Sequence, residues 1–397
     1  MAEAFIVAAR RTAGGRRNGR LSGWHPVDLA ARVLDTLIED TRIDPAAVDD
    51  VIMGCVSQIG EQSTNVARNA VLASRLLPES VPGTSVDRQC GSSQQTLHFA
   101  AQAVMSGTMD CVIAAGIESM TRIPMFSPSE LPRKAGLGEY TSADMRRKYG
   151  DVQFSQFIGA EMMAQKYGLS KRQLDEYALS SHRRAAAATR AGRFSREIIP
   201  VAVRRNDTAG DETASDEMHT ADEGIRFDAT LEAIAGVRPL QDGGLITAAN
   251  ASQICDGGSG VMLASERALK RFGLQPLARI HHMSVIGHDP VIMLEAPIPA
   301  TELALRKAGM EIQDIDAFEV NEAFASVPLA WLKKTGADPA RLNVNGGAIA
   351  LGHPLGASGT KLMATLIHVL QQREGRYGLQ TMCEGGGMAN VTIIERL

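Results

Sequence analysis

The sequence states one order of strands and helices twice, and that repetition restricts the fold more than any single motif. A helical stretch leading to the strand Val48-Asp49-Asp50-Val51-Ile52-Met53-Gly54 recurs as one leading to Ile315-Asp316-Ala317-Phe318-Glu319-Val320-Asn321. An extended run, a turn at Cys90, an Ala-rich helix halted at Gly107 and the strand Cys111 to Gly116 then form a second unit. That unit recurs as Leu342 to Val344, a glycine-rich turn, a helix from about Ala357 to Gln372, Gly375 and the strand Leu379 to Met382. Such alternation makes an α/β layer with a largely parallel sheet, and a duplicated layer predicts two similar halves packed together. Pseudo-twofold packing brings the turn carrying His353 beside the turn carrying Cys90.

Both turns hold reactive side chains. The first N–H groups of a helix are unpaired and partly positive, so a thiol where a strand hands over to a helix is biased toward thiolate. Cys90 is therefore a candidate nucleophile; the plainer alternative is a small buried hydrophobe. The second half offers Asn321-Glu322-Ala323-Phe324 after a strand, Asn345 to Pro354 with its imidazole at His353, and Cys383-Glu384-Gly385-Gly386-Gly387, whose backbone can approach a ligand closely. A Cys beside a His is a base-activated nucleophile, and a second Cys can shuttle a proton. Carboxamide and glycine N–H groups can hold an oxyanion.

Between the two copies the composition changes. Pro124, Pro128, Pro132, Gly136 and Gly138 break regularity, and amphipathic helices follow over about Ser155 to Tyr167 and Ser170 to Ala191. The polar segment 204–230 shows little periodicity. A chain of 397 residues exceeds one ordinary core. We divide it into a first half of residues 1–121 with 248–272, an inserted loop domain of 122–247, and a second half of 273–397. Basic side chains scattered through the insertion (Arg133, Lys134, Arg146, Arg147, Lys148, Arg204, Arg205, Arg226) suit a solvated face or contacts to phosphates.

Composition removes several classes. With 41 Lys+Arg against 45 Asp+Glu, the net charge of −4 gives no global reason to expect nucleic acid. Five cysteines, none within four residues of another, fit neither a disulfide framework nor a metal knuckle, so no metal and a reducing cytoplasm are expected. No apolar run reaches the ~18 residues a membrane span needs. The Arg-rich start (Arg10, Arg11, Arg16, Arg17) opens with strand-like Phe5 to Ala9 and is read as structure, not as a targeting peptide. The G-x-G-x-x-G, G-x-S-x-G and H-E-x-x-H motifs, and a G-K-[ST] after a glycine-rich loop, are all absent from the sequence.

Cys90-Gly91-Ser92-Ser93, Gly116-Ile117-Glu118-Ser119-Met120, Asn250-Ala251-Ser252 with Asp256-Gly257, Asn321 to Phe324, Gly346 to Pro354 and Cys383 to Gly387 together resemble the thiolase family, nearly end to end. The resemblance implies a thiolase fold: duplicated βαβαβαββ halves in a five-layered α-β-α-β-α arrangement, interrupted by a loop domain. It implies thiolytic cleavage of 3-oxoacyl-CoA through an acyl-enzyme on Cys90, with Cys383 protonating the acetyl-CoA enolate. His353 matches the imidazole that generates the thiolate and lines one oxyanion site, and Asn321 the group that orients a water there. The backbone N–H groups of Cys90 and Gly385 match a second oxyanion site. No permanently bound cofactor is implied, only coenzyme A as co-substrate, with Arg226, Ser252, Ala323 and Phe324 as candidate contacts. Acyl-CoA and CoA are the partners, and a homodimer or homotetramer is the family's habit.

One departure bears on substrate. Short-chain biosynthetic members often carry His-Met-Gly at the start of the first long loop-domain helix, where this chain reads Gln156-Phe157-Ile158-Gly159. Together with Met145, Met162, Met163 and Met293 as candidate lining of a yielding groove, this points to degradation of longer, branched or ring-bearing acyl groups. The alternatives are a biosynthetic acetoacetyl-CoA thiolase, a decarboxylative condensing enzyme, against which the second cysteine argues, and a lipid-binding relative without catalysis.

Overall fold

The computed structural model describes residues 2–150, 152, 154–206 and 212–397, without the side chains of 205, 206 and 212–214. Residues 207–211 of the polar segment, and the Arg205 side chain singled out above, lie outside the described residues. In the first half the strands lie in the order Gly83–Val86, Asp50–Gly54, Cys111–Ser119, Cys255–Ala264, Phe5–Thr12. The first three are parallel, and each of the last two runs antiparallel to the strand before it. The second half repeats this with Ala317–Val320 and Tyr377–Glu384 parallel, then Met388–Arg396 and Ala278–Gly287 antiparallel.

The copy is imperfect at one edge. The strand expected over Leu342 to Val344 is reduced to a single bridge between Phe318 and Leu342. Asn343 has left the extended region (φ 44°), and its carboxamide accepts from the Val320 N–H (2.9 Å) and donates to the Val320 carbonyl (2.8 Å). A side chain there does the work of a backbone ladder.

The halves join where their equivalent strands pair antiparallel, Phe5 with Arg279 and Ile6 with Ala278, as a pseudo-twofold relation requires. Side chains alternate across each strand. Cys111, Ile113, Ala115 and Ile117 point to one face, against Val33, Leu34 and Leu37 of the helix Pro26–Thr41. Val112 and Ala114 point to the other face. There they meet Leu97 and Ala101 of the helix Ser92–Met105, and Met363 and Ile367 of the helix Ser358–Arg373. On the far side of the second half, Val391 and Ile393 pack with Ala304 of Pro297–Ala308 and Val327 of Ser326–Thr335. Three apolar clusters thus separate five layers, and each large side chain buried in them contributes about 1.5–3 kcal/mol.

The two central helices begin at the two special turns, so their packing decides where the turns sit. Gly359 allows the closest approach, since a Cβ there would overlap the backbone nitrogen of Gln94.

In the insertion, the helix Lys171–Arg190 starts from a capping box of Ser170 with Gln173. Part of the segment expected to lack regular structure is an antiparallel pair, Val201–Asn206 with Glu212–His219. Arg11, wholly buried in the first strand, ties this region to the core through Glu197 (2.6 Å) and Asp222 (2.7 Å). Among the described residues no helix is long and apolar enough to cross a membrane, and no His/Cys/Asp/Glu group is arranged to hold a metal ion.

Candidate active site

The Cys90 turn is built by its own side chains. Asp87 accepts from the Gln89 N–H (2.7 Å), and Gln89 takes φ 50°. The Ser92 hydroxyl donates to the Gln89 carbonyl (2.6 Å) and accepts from the Arg88 N–H (3.0 Å). Cys90 is left just outside the first helical turn and half-buried. Gly91, the N-cap, has no room for a Cβ because the Glu384 carboxyl fills that space, and a Cβ on Gly385 would lie 2.8 Å from the Gln89 side chain. The turn bearing Cys90 and the strand end bearing buried Cys383 therefore meet.

Helix-end charge does not make a resting thiolate here, contrary to the expectation above. Burial, then the Glu384 carboxyl, then Glu118 and Asp87, push the Cys90 thiol up to about 12, outweighing the backbone hydrogen bond that favours the anion. The Cys383 thiol is raised too, by burial and by Cys90. The proton on Cys90 needs a base.

His353 is arranged as one. The Ser358 hydroxyl donates to the Pro354 carbonyl (2.9 Å), so toward His353 Nδ1, 2.5 Å away, it acts as acceptor. That assigns the proton to Nδ1 and leaves Nε2 unprotonated, accepting from Asn321 Nδ2 at 3.3 Å. Burial, with Lys361 nearby, holds the imidazole neutral by lowering it to about 3. Asn321 Oδ1 is buried without a partner, and a cavity of about 10 Å³, room for one water, lies among Asn321, Glu319, Ser358 and Lys361.

Buried charges fix the turn. Lys361 Nζ donates to the carbonyls of Leu351 and Gly352, both at 2.7 Å. Glu118 accepts from the Gly356 (2.8 Å), Val56 (2.9 Å) and Ser57 (3.0 Å) N–H groups, so one carboxylate spans both halves. The sequence reading missed Ser358, Lys361 and Glu384 as parts of this site. Only the place of Ser358, five residues past the imidazole at a helix start, hinted at its use.

Of the candidate coenzyme A contacts, three lie together. The Ser252 N–H donates to the Ala323 carbonyl (2.9 Å), and Ala251 bridges Phe324. Gln253 Nε2 reaches the carbonyls of Gly224 (2.8 Å) and Ile349 (2.7 Å), linking the stretch before Arg226 to this cluster. Arg226 itself is exposed, and among the described residues no ion pair engages its guanidinium. Phe324 meets Phe157 edge-on at 5.8 Å. Phe157 also lines a groove of about 650 Å³ with Phe126, Tyr140, Met145, Tyr149 and Phe154. Met163 and Met293 belong to the core instead, and Met162 packs at its edge.

Two family models cover the chain: "Thiolase, N-terminal domain" over residues 4–267 and "Thiolase, C-terminal domain" over residues 274–396. The steroid 3-ketoacyl-CoA thiolase FadA6 of Mycobacterium tuberculosis is 54% identical over 399 residues, covering all of this chain and 95% of that protein. The 3-ketoacyl-CoA thiolases of Erwinia tasmaniensis and Serratia proteamaculans are each 40% identical over 404 residues, covering the whole of both chains.

Proposed function

The chain belongs to the thiolase family of acyltransferases, and on that premise we propose that it cleaves ring-bearing or otherwise bulky 3-oxoacyl-CoA by thiolysis, with Cys90, His353, Cys383 and Asn321 as its catalytic groups. Cys90 gives its proton to Nε2 of His353, and the thiolate adds to the 3-keto carbon. Collapse of that adduct breaks the C2–C3 bond, leaving the acyl group on Cys90 while the acetyl-CoA enolate takes the proton of Cys383. Coenzyme A then gives its thiol proton to the Cys383 sulfur and attacks the acyl-enzyme. The Cys90 thiolate is released and recovers its proton from His353.

Negative charge develops on two different oxygens during this sequence, so two donor sets are needed. His353 with a water oriented by Asn321 serves one, and the N–H groups of Cys90 and Gly385 serve the other. The observation that carries this reading is the Pro354–Ser358–His353–Asn321 chain of hydrogen bonds, which holds Nε2 as the unprotonated nitrogen, taken with the contact between the Cys90 turn and the Cys383 strand end.

Coenzyme A would lie along Ser252, Ala323 and Phe324, with exposed Arg226 toward its phosphates. Residues 122–247 act as the loop domain on which it rests, between halves of 1–121 with 248–272 and of 273–397. The groove beside Phe157 supports the bulky acyl group, because its size is that of a small-molecule pocket and five of its lining side chains are aromatic. The steroid in the name of one relative points the same way. Five free cysteines suit a reducing cytoplasm, and a homodimer or homotetramer is the assembly we propose. A panel of 3-oxoacyl-CoA thioesters tests the substrate class: bulky members should show the highest kcat/KM, and acetoacetyl-CoA exceeding them all would overturn it.

A further inference from the structure

Glu384 follows Cys383 at the end of its strand and has no part in the steps above. It is wholly buried, and neither of its carboxyl oxygens makes a well-formed hydrogen bond. Cys383 faces the apolar cluster that includes Ala389, so strand alternation turns Glu384 the other way, onto Gly91 at the first turn of the Cys90 helix. The Asn390 side-chain amide, on the facing strand, donates to the Gly91 carbonyl (3.2 Å). Arg88, on the loop before the helix, is the cation that faces Glu384; Cys90 and Cys383 are its titrating neighbours. Cys90 also faces Asp87 and Glu118.

A buried carboxyl without well-formed hydrogen bonds is costly as an anion and is kept as the neutral acid. Burial raises Glu384 to about 8, and Arg88 and the Asn390 backbone draw it only partly back. Below that pH the helix start beside Cys90 carries an uncharged group; above it, a second negative charge competes with any thiolate formed there.

We propose that Glu384 is a positioning residue acting through charge: uncharged, it lets Cys90 hand its proton to His353, and ionised, with its own proton lost to solvent, it holds Cys90 as the thiol. The inference rests on Cys90 being the nucleophile, and deepens that assignment by naming what limits it on the alkaline side.

The test is the rate of Cys90 alkylation by iodoacetamide between pH 6 and 10, with the adduct located by mass spectrometry, for the whole protein and for Glu384→Gln and Glu384→Asp. In the unaltered protein the rise of log rate with pH should flatten around pH 8 and then resume. Glu384→Gln should match it at pH 6, react about tenfold faster at pH 9 and show no break. Glu384→Asp, which restores a titrating carboxyl, should restore the break. Parallel curves for the unaltered protein and Glu384→Gln would overturn the proposal, and so would an unbroken rise in the unaltered protein, which decides the matter even if the variants do not fold. If Cys90 resists alkylation at every pH while another cysteine reacts, the nucleophile assignment itself fails and the proposal falls with it.

Discussion

The Cys90 turn and the His353 turn occupy equivalent places in the two halves, yet one leaves its residue partly exposed and the other buries it. The first is a short reversal through Gln89 at φ 50°, directly capped by Gly91. The second spans from Asn345 to the helix start at Ser358, takes in the short helix Ala348–Leu351, and is pinned by Lys361, Glu118 and Ser358. A duplicated frame thus needs change at only one loop per copy to divide labour between an accessible nucleophile and a buried, tautomer-fixed base. Burial keeps His353 neutral.

The sharpest way to break this contrast is to remove each functional atom in turn. Cys90→Ala should lower thiolysis by more than about 10³-fold, because no other group at that turn can carry the acyl chain; residual turnover near the unaltered rate would refute the division. Ser358→Ala frees the His353 tautomer while leaving Cys90 in place. A drop of about 10- to 100-fold in kcat with little change in KM is expected, and an equal rise in KM would point to a substrate-binding role instead.

Next in size is the contact that holds the turns together. Gly359→Ala forces a Cβ into the Gln94 backbone and should cost about 1–3 kcal/mol of stability in urea unfolding, since backbone on both sides resists movement. Gly385→Ala, which meets only the flexible Gln89 side chain, should cost less.

The effect that is smallest near neutral pH compares one buried imidazole from each half. His98 in the first central helix and His353 are both lowered to about 3, against about 6.5 when unfolded. Below pH 6.5 the unfolded chain therefore binds protons that the folded chain refuses. Each His contributes stability above pH 6.5 and loses it as pH falls toward 3, at up to about 1.4 kcal/mol per pH unit. His98→Gln should flatten the acid slope of the urea midpoint by one proton, and an unchanged slope would contradict its burial as the neutral form.

Strand and helix order and the duplication are legible because they depend on periodicity and on turn residues, which are local; the pairing of Cys90 with Cys383 rests on the family resemblance. What escaped was set by three-dimensional neighbours. The Leu342 edge was read as strand because nothing in its sequence reveals that the Asn343 carboxamide replaces the ladder. Cys90 was read as a ready thiolate because the helix start is visible in sequence and the carboxyl groups of Glu384 and Glu118 around it are not. Arg11 stands in a basic stretch that gives no sign of its burial, because its partners Glu197 and Asp222 lie some two hundred residues away.

The central claim is that two thiols from opposite halves share one reaction and divide it. Cys383→Ala, incubated first with a simple acyl-CoA and then with a 3-oxoacyl-CoA, tests this with mass spectrometry of the Cys90 peptide and an assay for released acetyl-CoA. The account predicts stoichiometric acylation of Cys90 from the simple thioester and no acetyl-CoA from the 3-oxo compound. Failure of both, or success of both, would contradict it.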